Sequence, residues 1–374
     1  MGPSGVIGVI GEFNPFHDGH RFLLRSAREA TGDRPVVSVM SGNFLQRGDP
    51  ALFDKWKRAT DAVASGQVDL VLELPTVYAV SSAGYFARAG LSVLEGLGMV
   101  EILAFGSESG DLAKLRRTAT LLRIVDREYG EELKARMKEG HSYPASRQWL
   151  LEKKFPQVDR AMPTFPNNIL ALEYLSCWQD REAFTVQRKD EYHMSASAIR
   201  AAYEKAHPAL SRQKEDRFFT LIRSSILAKS VSELEKIASA GEGLGYKMYS
   251  EVRLAESRDQ FVQALKSKRY TYSRINRMLC QTLLGIDKES LETSKPYLRV
   301  LAMNKTGAAL LRWAKKQDRI TLPIVDSVAE AMKREGGIRS TLAIDIRASD
   351  MFNLLEARNL YRFSDYVRKP VLLL

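Results

Sequence analysis

GEFNPFHDGH, residues 11–20, sets His17 and His20 three positions apart, directly after the apolar run Val6-Ile7-Gly8-Val9-Ile10. An apolar, β-branched run that ends in turn-forming residues reads as a buried strand. The residues that follow, 19–31, carry a helical pattern, so the stretch marks a strand, a turn and a helix start. Spacing i, i+3 places both imidazoles on one helix face. A helix N-terminus supplies unpaired N–H groups and the positive end of a dipole, which makes it a natural phosphate site. Two imidazoles placed there are suited to donate hydrogen bonds to phosphate oxygens as charge builds up in a transition state. Gly19 would let a nucleotide approach closely. The competing readings are two surface histidines or half of a metal site, and no further His/Cys/Asp cluster completes the latter.

Working outward, apolar runs recur at 36–40, 69–74 and 101–106, with helical patterns at 54–66 and 81–97 between them. Strand–helix alternation of this kind predicts an α/β fold with a doubly wound parallel sheet, binding ligands at the carboxyl ends of its strands. A long helical pattern covers 111–138, another follows Asn167-Asn168, and a short strand near 184–188 leads to Met-Ser-Ala-Ser-Ala-Ile-Arg at 194–200, where Ser197 is a candidate helix cap. From about 205 the segments 214–228, 230–240, 250–267 and 271–284 read as helices, with little strand signal before 298–304. The expected division is therefore residues 1–205, an α/β domain, and 206–374, a helix-rich domain.

Charge is also uneven along the chain, its cationic excess lying wholly beyond about residue 110. Residues 1–110 hold 9 Lys/Arg against 12 Asp/Glu, and residues 111–374 hold 47 against 33. The cationic excess attracts polyanions, of which nucleic acid is the usual one; the alternative is a field that serves solubility alone. With 45% hydrophobic and 27% charged residues the 374-residue chain has a globular composition. No apolar run approaches the roughly 18 residues of a membrane span, and no signal peptide is visible. Met1-Gly2-Pro3-Ser4-Gly5 reads as a flexible lead-in. Cys177 and Cys280 make neither a disulfide framework nor a zinc site, which fits a reducing cytoplasm.

A second constellation, Ser195, Ser197 and Arg200, joins hydroxyls, helix N–H groups and a guanidinium into a possible phosphate grip. Alone it is an ordinary capped helix. Paired with His17-Asp18-Gly19-His20 it resembles the HxGH nucleotidylyltransferase superfamily, in which two such motifs hold the triphosphate of ATP from opposite sides. The resemblance narrows when the motifs are taken in order. They run Glu12-Phe13-Asn14-Pro15-Phe16-His17-Asp18-Gly19-His20, Met40-Ser41-Gly42-Asn43-Phe44-Leu45-Gln46-Arg47-Gly48, Asp54-Lys55-Trp56, Glu73-Leu74-Pro75, Phe105-Gly106-Ser107-Glu108, Pro166-Asn167-Asn168 and Ser195 to Arg200. This string resembles the bacterial tRNA(Met) cytidine acetate ligase family over about the first 200 residues. Tyr270 to Arg277 and Tyr297 to Leu301 are similar to its second half. Phe13 stands where the pattern leads one to expect Tyr, and Gly11 is an unusual small residue at a strand end.

The resemblance implies a two-step reaction. Acetate attacks the α-phosphate of ATP to give acetyl-adenylate and pyrophosphate, and the acetyl group passes to N4 of the wobble cytidine of elongator tRNA(Met). It implies an ATP site of Ile10, Gly11, Glu12, Phe13, Asn14, Pro15, Phe16, His17, Asp18, Gly19 and His20. Gly106, Asn167 (favoured over Asn168), Arg188, Ser195 and Ser197 complete that site. His17, His20 and Arg200 are the expected catalytic groups. Ser41, Gly42, Asn43, Gln46 and Arg47, after the second strand, should face the site as an acetate or cytidine pocket, with Lys55 able to reach a phosphate or merely exposed. Arg269, Arg274 and Arg277, beside Tyr270 and Tyr272, mix charge for tRNA phosphates with rings for unstacked bases. Mg2+ is expected because ATP carries it, although no dedicated carboxylate cluster is identifiable. The alternatives are a nucleotidylyltransferase for a small phosphorylated metabolite, which has no need of a basic second half, and a non-enzymatic RNA-binding protein.

Overall fold

The apolar strands of the first half feed two cores, one on each side of a sheet, because successive side chains leave a strand on opposite faces. Val6 and Ile10 of β1 (Val6–Gly11), Val37 and Val39 of β2 (Val36–Ser41), and Leu70, Leu72 and Leu74 of β3 (Leu70–Leu74) belong to the larger core. Ile7, Val9, Val36, Met40 and Val71, with opposite parity, belong to the smaller one. Burial on both faces is why these strands lack a polar side in the sequence. The computed structural model describes residues 5–188, 195–241, 243–333 and 336–373; Met194 of the 194–200 motif lies outside them.

With β4 (Val100–Ser107), β5 (Ala183–Gln187), β6 (Val300–Asn304) and β7 (Val371–Leu373), the sheet has seven strands in the order β5-β4-β1-β2-β3-β6-β7. The first five pair in parallel. β6 runs antiparallel to β3, and β7 parallel to β6. The direction of winding reverses between β1 and β4, so the crevice at their carboxyl ends is the topological switch point where such folds bind ligands.

Helix α1 (Asp18–Thr31) and α2 (Lys55–Ala64) cover the smaller core with Leu24, Ala27, Trp56 and Ala59; α3 (Ala83–Gly96) and α4 (Pro166–Trp178) cover the larger. α3 sits hard against β1. A methyl group at Gly8 would lie 2.8 Å from Leu94 Cδ1, and one at Gly90 2.8 Å from Ile10 Cδ1. That contact fixes the strand from which residues 11–20 emerge.

Beyond β5 the chain is mainly helical, including α5 (Ala196–Ala206), α6 (Pro208–Leu227) and α7 (Tyr272–Leu284). Three expectations need revision. The pattern over 111–138 is two helices meeting at Tyr129, Leu112–Glu128 and Gly130–Lys138. Ser195, not Ser197, caps α5, its side chain accepting the Ala198 N–H. The boundary expected at 205 falls inside α5, and the chain beyond it returns β6 and β7 to the sheet, so the helical half is built onto the first rather than beside it.

Candidate active site

The strand-to-helix turn after β1 makes its own cap. His17 is the N-cap of α1, in extended backbone, and its Nδ1 accepts the Gly19 N–H at 3.0 Å. His20 Nδ1 accepts the His17 N–H at 3.3 Å, closing a capping box in which both partners are histidine. The rings lie 3.9 Å apart, and the His20 ring is packed by Phe13 at 5.0 Å and Phe16 at 5.5 Å. Two of the helix's orphan donors are satisfied in this way. With both Nδ1 atoms accepting, the neutral rings carry their protons on Nε2, where they are free to donate.

Both rings are neutral near pH 7. Burial, then the Arg188 charge, lowers His17 to about 4, against the pull of Asp18. Burial, then His17 and Arg188, lowers His20 well below 6.5. Gly19 is required by the histidine itself, because a Cβ there would meet His17 Cε1 at 2.8 Å. Gly11 makes room for the Phe13 ring, which would approach a Cβ to 3.3 Å.

This turn lines a cleft of about 1610 Å3 at the switch point. Ile10, Gly11, Glu12, Phe13, Asn14, His17, Gly19 and His20 line it, while Pro15, Phe16 and Asp18 do not. Phe16 backs His20, and the Asp18 side chain stands in solvent near Arg21. Gly106, Asn167, Arg188, Ser195, Ser197 and Arg200 face the same cleft. Arg200 spans it, donating to the Asn14 carbonyl at 2.7 Å and the Ser197 hydroxyl at 3.1 Å, so the two motifs are tied together across 186 positions. Asn167 lines the cleft and donates to Glu108 Oε1 at 2.7 Å, whereas Asn168 is buried and accepts the Glu108 and Ser109 N–H groups. Two neutral Nε2–H donors at a helix N-terminus, flanked by Arg188 and Arg200, suit a polyphosphate ester.

Comparison with known proteins agrees with that geometry. The HIGH Nucleotidyl Transferase family model matches residues 5–365. The tRNA(Met) cytidine acetate ligase of Clostridium perfringens is 34% identical, the match covering 98% of this chain and 99% of that one. Its namesake from Thermoanaerobacter sp. is 35% identical, over 94% and 95%. The chain belongs to the tRNA(Met) cytidine acetate ligase family. Among solved structures, Thermotoga maritima TmcAL bound with alpha-thio ATP superposes with a TM-score of 0.86 at 29% identity, over 99% of each chain.

Against this ligase framework, several of the expected contacts with acetate, cytidine or tRNA are corrected. Gln46 and Arg47 line the cleft; Ser41, Gly42, Asn43 and Lys55 do not. Ser41 and Asn43 are buried, and Asn43 accepts the Lys55 N–H at 2.8 Å. Lys55 is fully buried, with its ammonium between Glu73 (2.6 Å) and Asp365 (2.7 Å). Arg277 lines the cleft; Arg269 and Arg274 lie outside it. Arg274 donates to the Ser239 carbonyl and lies over the Tyr270 ring. That ring is buried and its hydroxyl bonds Gly241, so it is not free to stack a base; Tyr272 is exposed. Arg277 reaches the cleft because the turn at Gly48 (φ +87°) packs on α7, where a Cβ would fall 2.4 Å from the Arg277 nitrogen.

Arg58, not singled out in the sequence although it follows Asp54-Lys55-Trp56 on α2, is the buried anchor of this site. Its guanidinium donates to the Glu12 and Gly42 carbonyls, to Ser41 at 3.1 Å and to Phe53 at 3.0 Å. It therefore pins the carboxyl ends of β1 and β2 to each other. Burial lowers it to about 10, opposed by Glu12, Asp54 and Glu73, so it stays charged.

Proposed function

We propose that this chain is an ATP-dependent ligase that activates acetate as acetyl-adenylate and acetylates N4 of the wobble cytidine of elongator tRNA(Met), releasing AMP and pyrophosphate. The observation that carries the reading is the pair of neutral histidines whose free Nε2–H groups share a cleft with Arg188 and Arg200. Donors of this kind stabilise charge accumulating on the α-phosphate and the leaving pyrophosphate without a proton changing hands. Gly106 at the end of β4 and Asn167 would lie along adenosine, with Ser195 and Ser197 beside the phosphates. Among the described residues no group of three or more His, Cys, Asp or Glu forms a metal site; Mg2+ in this scheme travels with the triphosphate. No helix among the described residues is long and apolar enough to cross a membrane, and the cytoplasm is the proposed compartment.

The proposed division of labour gives residues 1–205 the adenylate chemistry and assigns tRNA to the basic residues 206–374, with Gln46, Arg47 and Arg277 at the meeting point. The runner-up, nucleotidyl transfer to a small phosphorylated metabolite, leaves that basic half unused. Incubating the protein with ATP, labelled acetate and unmodified elongator tRNA(Met) should place the label in N4-acetylcytidine. Unlabelled tRNA with ATP intact would overturn the proposal.

Arg277 is a specific test of the tRNA half. Among the described residues its Nε has no hydrogen-bond partner and its guanidinium makes no ion pair; burial together with Arg274 lowers it to about 10, so it remains a cation with no negative charge paired to it. A phosphate of the incoming strand would supply that charge. Arg277→Gln is expected to raise the KM for tRNA about tenfold, ~1.4 kcal/mol, and to flatten its salt dependence. An unchanged KM and salt slope would remove Arg277 from the tRNA path.

A further inference from the structure

Acyl transfer from an adenylate to an aromatic amine leaves a proton that some group must take. The histidines are poor candidates, since each Nδ1 already accepts a backbone N–H and each neutral ring holds its proton on Nε2. The acids in the cleft are nearly all engaged. Arg147 holds Asp126 (2.6 Å) and Glu173 (2.7 Å), Arg258 holds Asp49 (2.8 Å) and Glu215 (2.6 Å), and Lys214 holds Glu356 (2.5 Å). Glu204 is exposed on α5.

Glu12 differs from all of these. It is the first residue after β1 and lines the cleft together with His17, His20, Arg200, Gln46 and Arg47. One carboxylate oxygen accepts the Gln46 N–H at 2.8 Å, and among the described residues the other makes no hydrogen bond or ion pair. Arg58 of α2 grips the Glu12 backbone carbonyl, not its carboxylate. The charged and titratable groups around it come from every neighbouring element: Arg58 from α2, Arg47 from the loop after β2, Arg200 from α5 and Tyr174 from α4. Burial outweighs the Gln46 N–H and the three guanidinium charges, so the Glu12 carboxyl is raised above its ordinary 4.5, the direction that strengthens it as a base. Burial keeps the Tyr174 hydroxyl protonated.

Building on the ligase reading, we propose that Glu12 is the proton acceptor of the acetyl-transfer step. The cytidine N4 attacks the carbonyl carbon of acetyl-adenylate and forms the C–N bond. The C–O bond to phosphate breaks, AMP leaves with that electron pair, and the N4 proton passes to the free Glu12 oxygen and from there to water. The assignment extends Glu12 from a wall of the ATP site to a second role in the other half-reaction.

The test supplies prepared acetyl-adenylate and unmodified elongator tRNA(Met), which bypasses ATP, and follows single-turnover acetylation from about pH 5 to 8. Wild-type transfer should slow as pH falls and Glu12 gains its proton. Glu12→Gln, which keeps an acceptor for the Gln46 N–H, should transfer about 10²- to 10⁴-fold more slowly and lose that acid limb. Glu12→Asp should keep the limb at an intermediate rate, and thermal unfolding shows whether each variant is folded. A Glu12→Gln enzyme that transfers within threefold of wild type, or keeps the limb, overturns this proposal alone. Wild-type enzyme that leaves acetyl-adenylate unused overturns the ligase reading and this proposal with it.

Discussion

His17→Asn is expected to fold as well as the wild type and to lose about 10²- to 10³-fold in acetate-dependent ATP/pyrophosphate exchange, the cost of removing one preorganised donor to a developing charge. The substitution separates two jobs that the imidazole combines. As N-cap, His17 accepts the Gly19 N–H through Nδ1, and Asn is among the strongest N-caps, so the amide oxygen replaces that function. The Nε2–H has no counterpart in the shorter side chain. His20→Ala should show a similar or larger loss in exchange, with some destabilisation besides. It removes the acceptor of the His17 N–H and the ring packed by Phe13 and Phe16. Exchange by His17→Asn within threefold of wild type would refute the donor role.

The same assignment has a pH signature. Neutral histidines have nothing to lose near their ordinary pKa, so exchange should run without an inflection around 6.5. Stability behaves differently. With His17 lowered to about 4, the unfolded chain binds more protons than the folded one between about 4 and 6.5. This contribution is therefore complete above 6.5 and is lost as pH falls through that window.

The parts of this site that were legible in the sequence are those whose neighbours lie close along the chain. The first strand and the Asp18–Thr31 helix announce themselves through an apolar run that meets His17-Asp18-Gly19-His20, because cap and strand end are contiguous. The pairing of the two motifs was readable only through resemblance, and its physical agent, Arg200 on the Asn14 carbonyl, spans 186 positions. Lys55 misled for a similar reason. A lysine that follows an Asp cap normally sits in solvent, and the acid that buries it, Asp365, lies 310 positions later. Ser195 and Ser197 are equally good caps by type, and only the Ala198 contact distinguishes them. Val371 to Leu373, three residues at a sheet edge, carry too short a pattern to register. In the sequence Arg277 could not be told apart from Arg269 and Arg274, because its place in the cleft depends on the Gly48 turn, more than two hundred positions earlier.

Lys55→Met should be the most damaging substitution to stability, by about 3–5 kcal/mol. Lys55 and Arg299 face Glu73 and Asp365 with no water-exposed member. The ammonium lies 2.6 and 2.7 Å from the two carboxylates, and the Arg299 guanidinium 3.1 and 2.8 Å from the same pair. The set is neutral as two pairs. Removing one cation leaves two buried carboxylates around a single guanidinium, whereas methionine fills the lysine stem's volume and thereby isolates the electrostatic loss from a cavity. Burial would push Asp365 up, but Arg299 and Lys55 together hold it well below the usual carboxylate range. Its share of stability is thus present above that range and disappears as acid protonates it. Without Lys55 that acid-side loss should begin at higher pH. The neighbouring Asp345, bonded to Tyr297 and to the Thr76 N–H, runs the other way. Burial and then Glu73 raise it to about 7, against Lys55 among others, so losing Lys55 should raise it further. The decisive comparison is a double-mutant cycle read by denaturant unfolding. Lys55→Met with Asp365→Asn removes one charge of each sign and should cost less than the two single losses added, by about 0.5–3 kcal/mol. Strict additivity would mean that the four charges do not act as one network. Because none of the four lines the cleft, the folded Lys55→Met enzyme should keep its exchange activity, which separates this stability role from the phosphate contact first expected of Lys55.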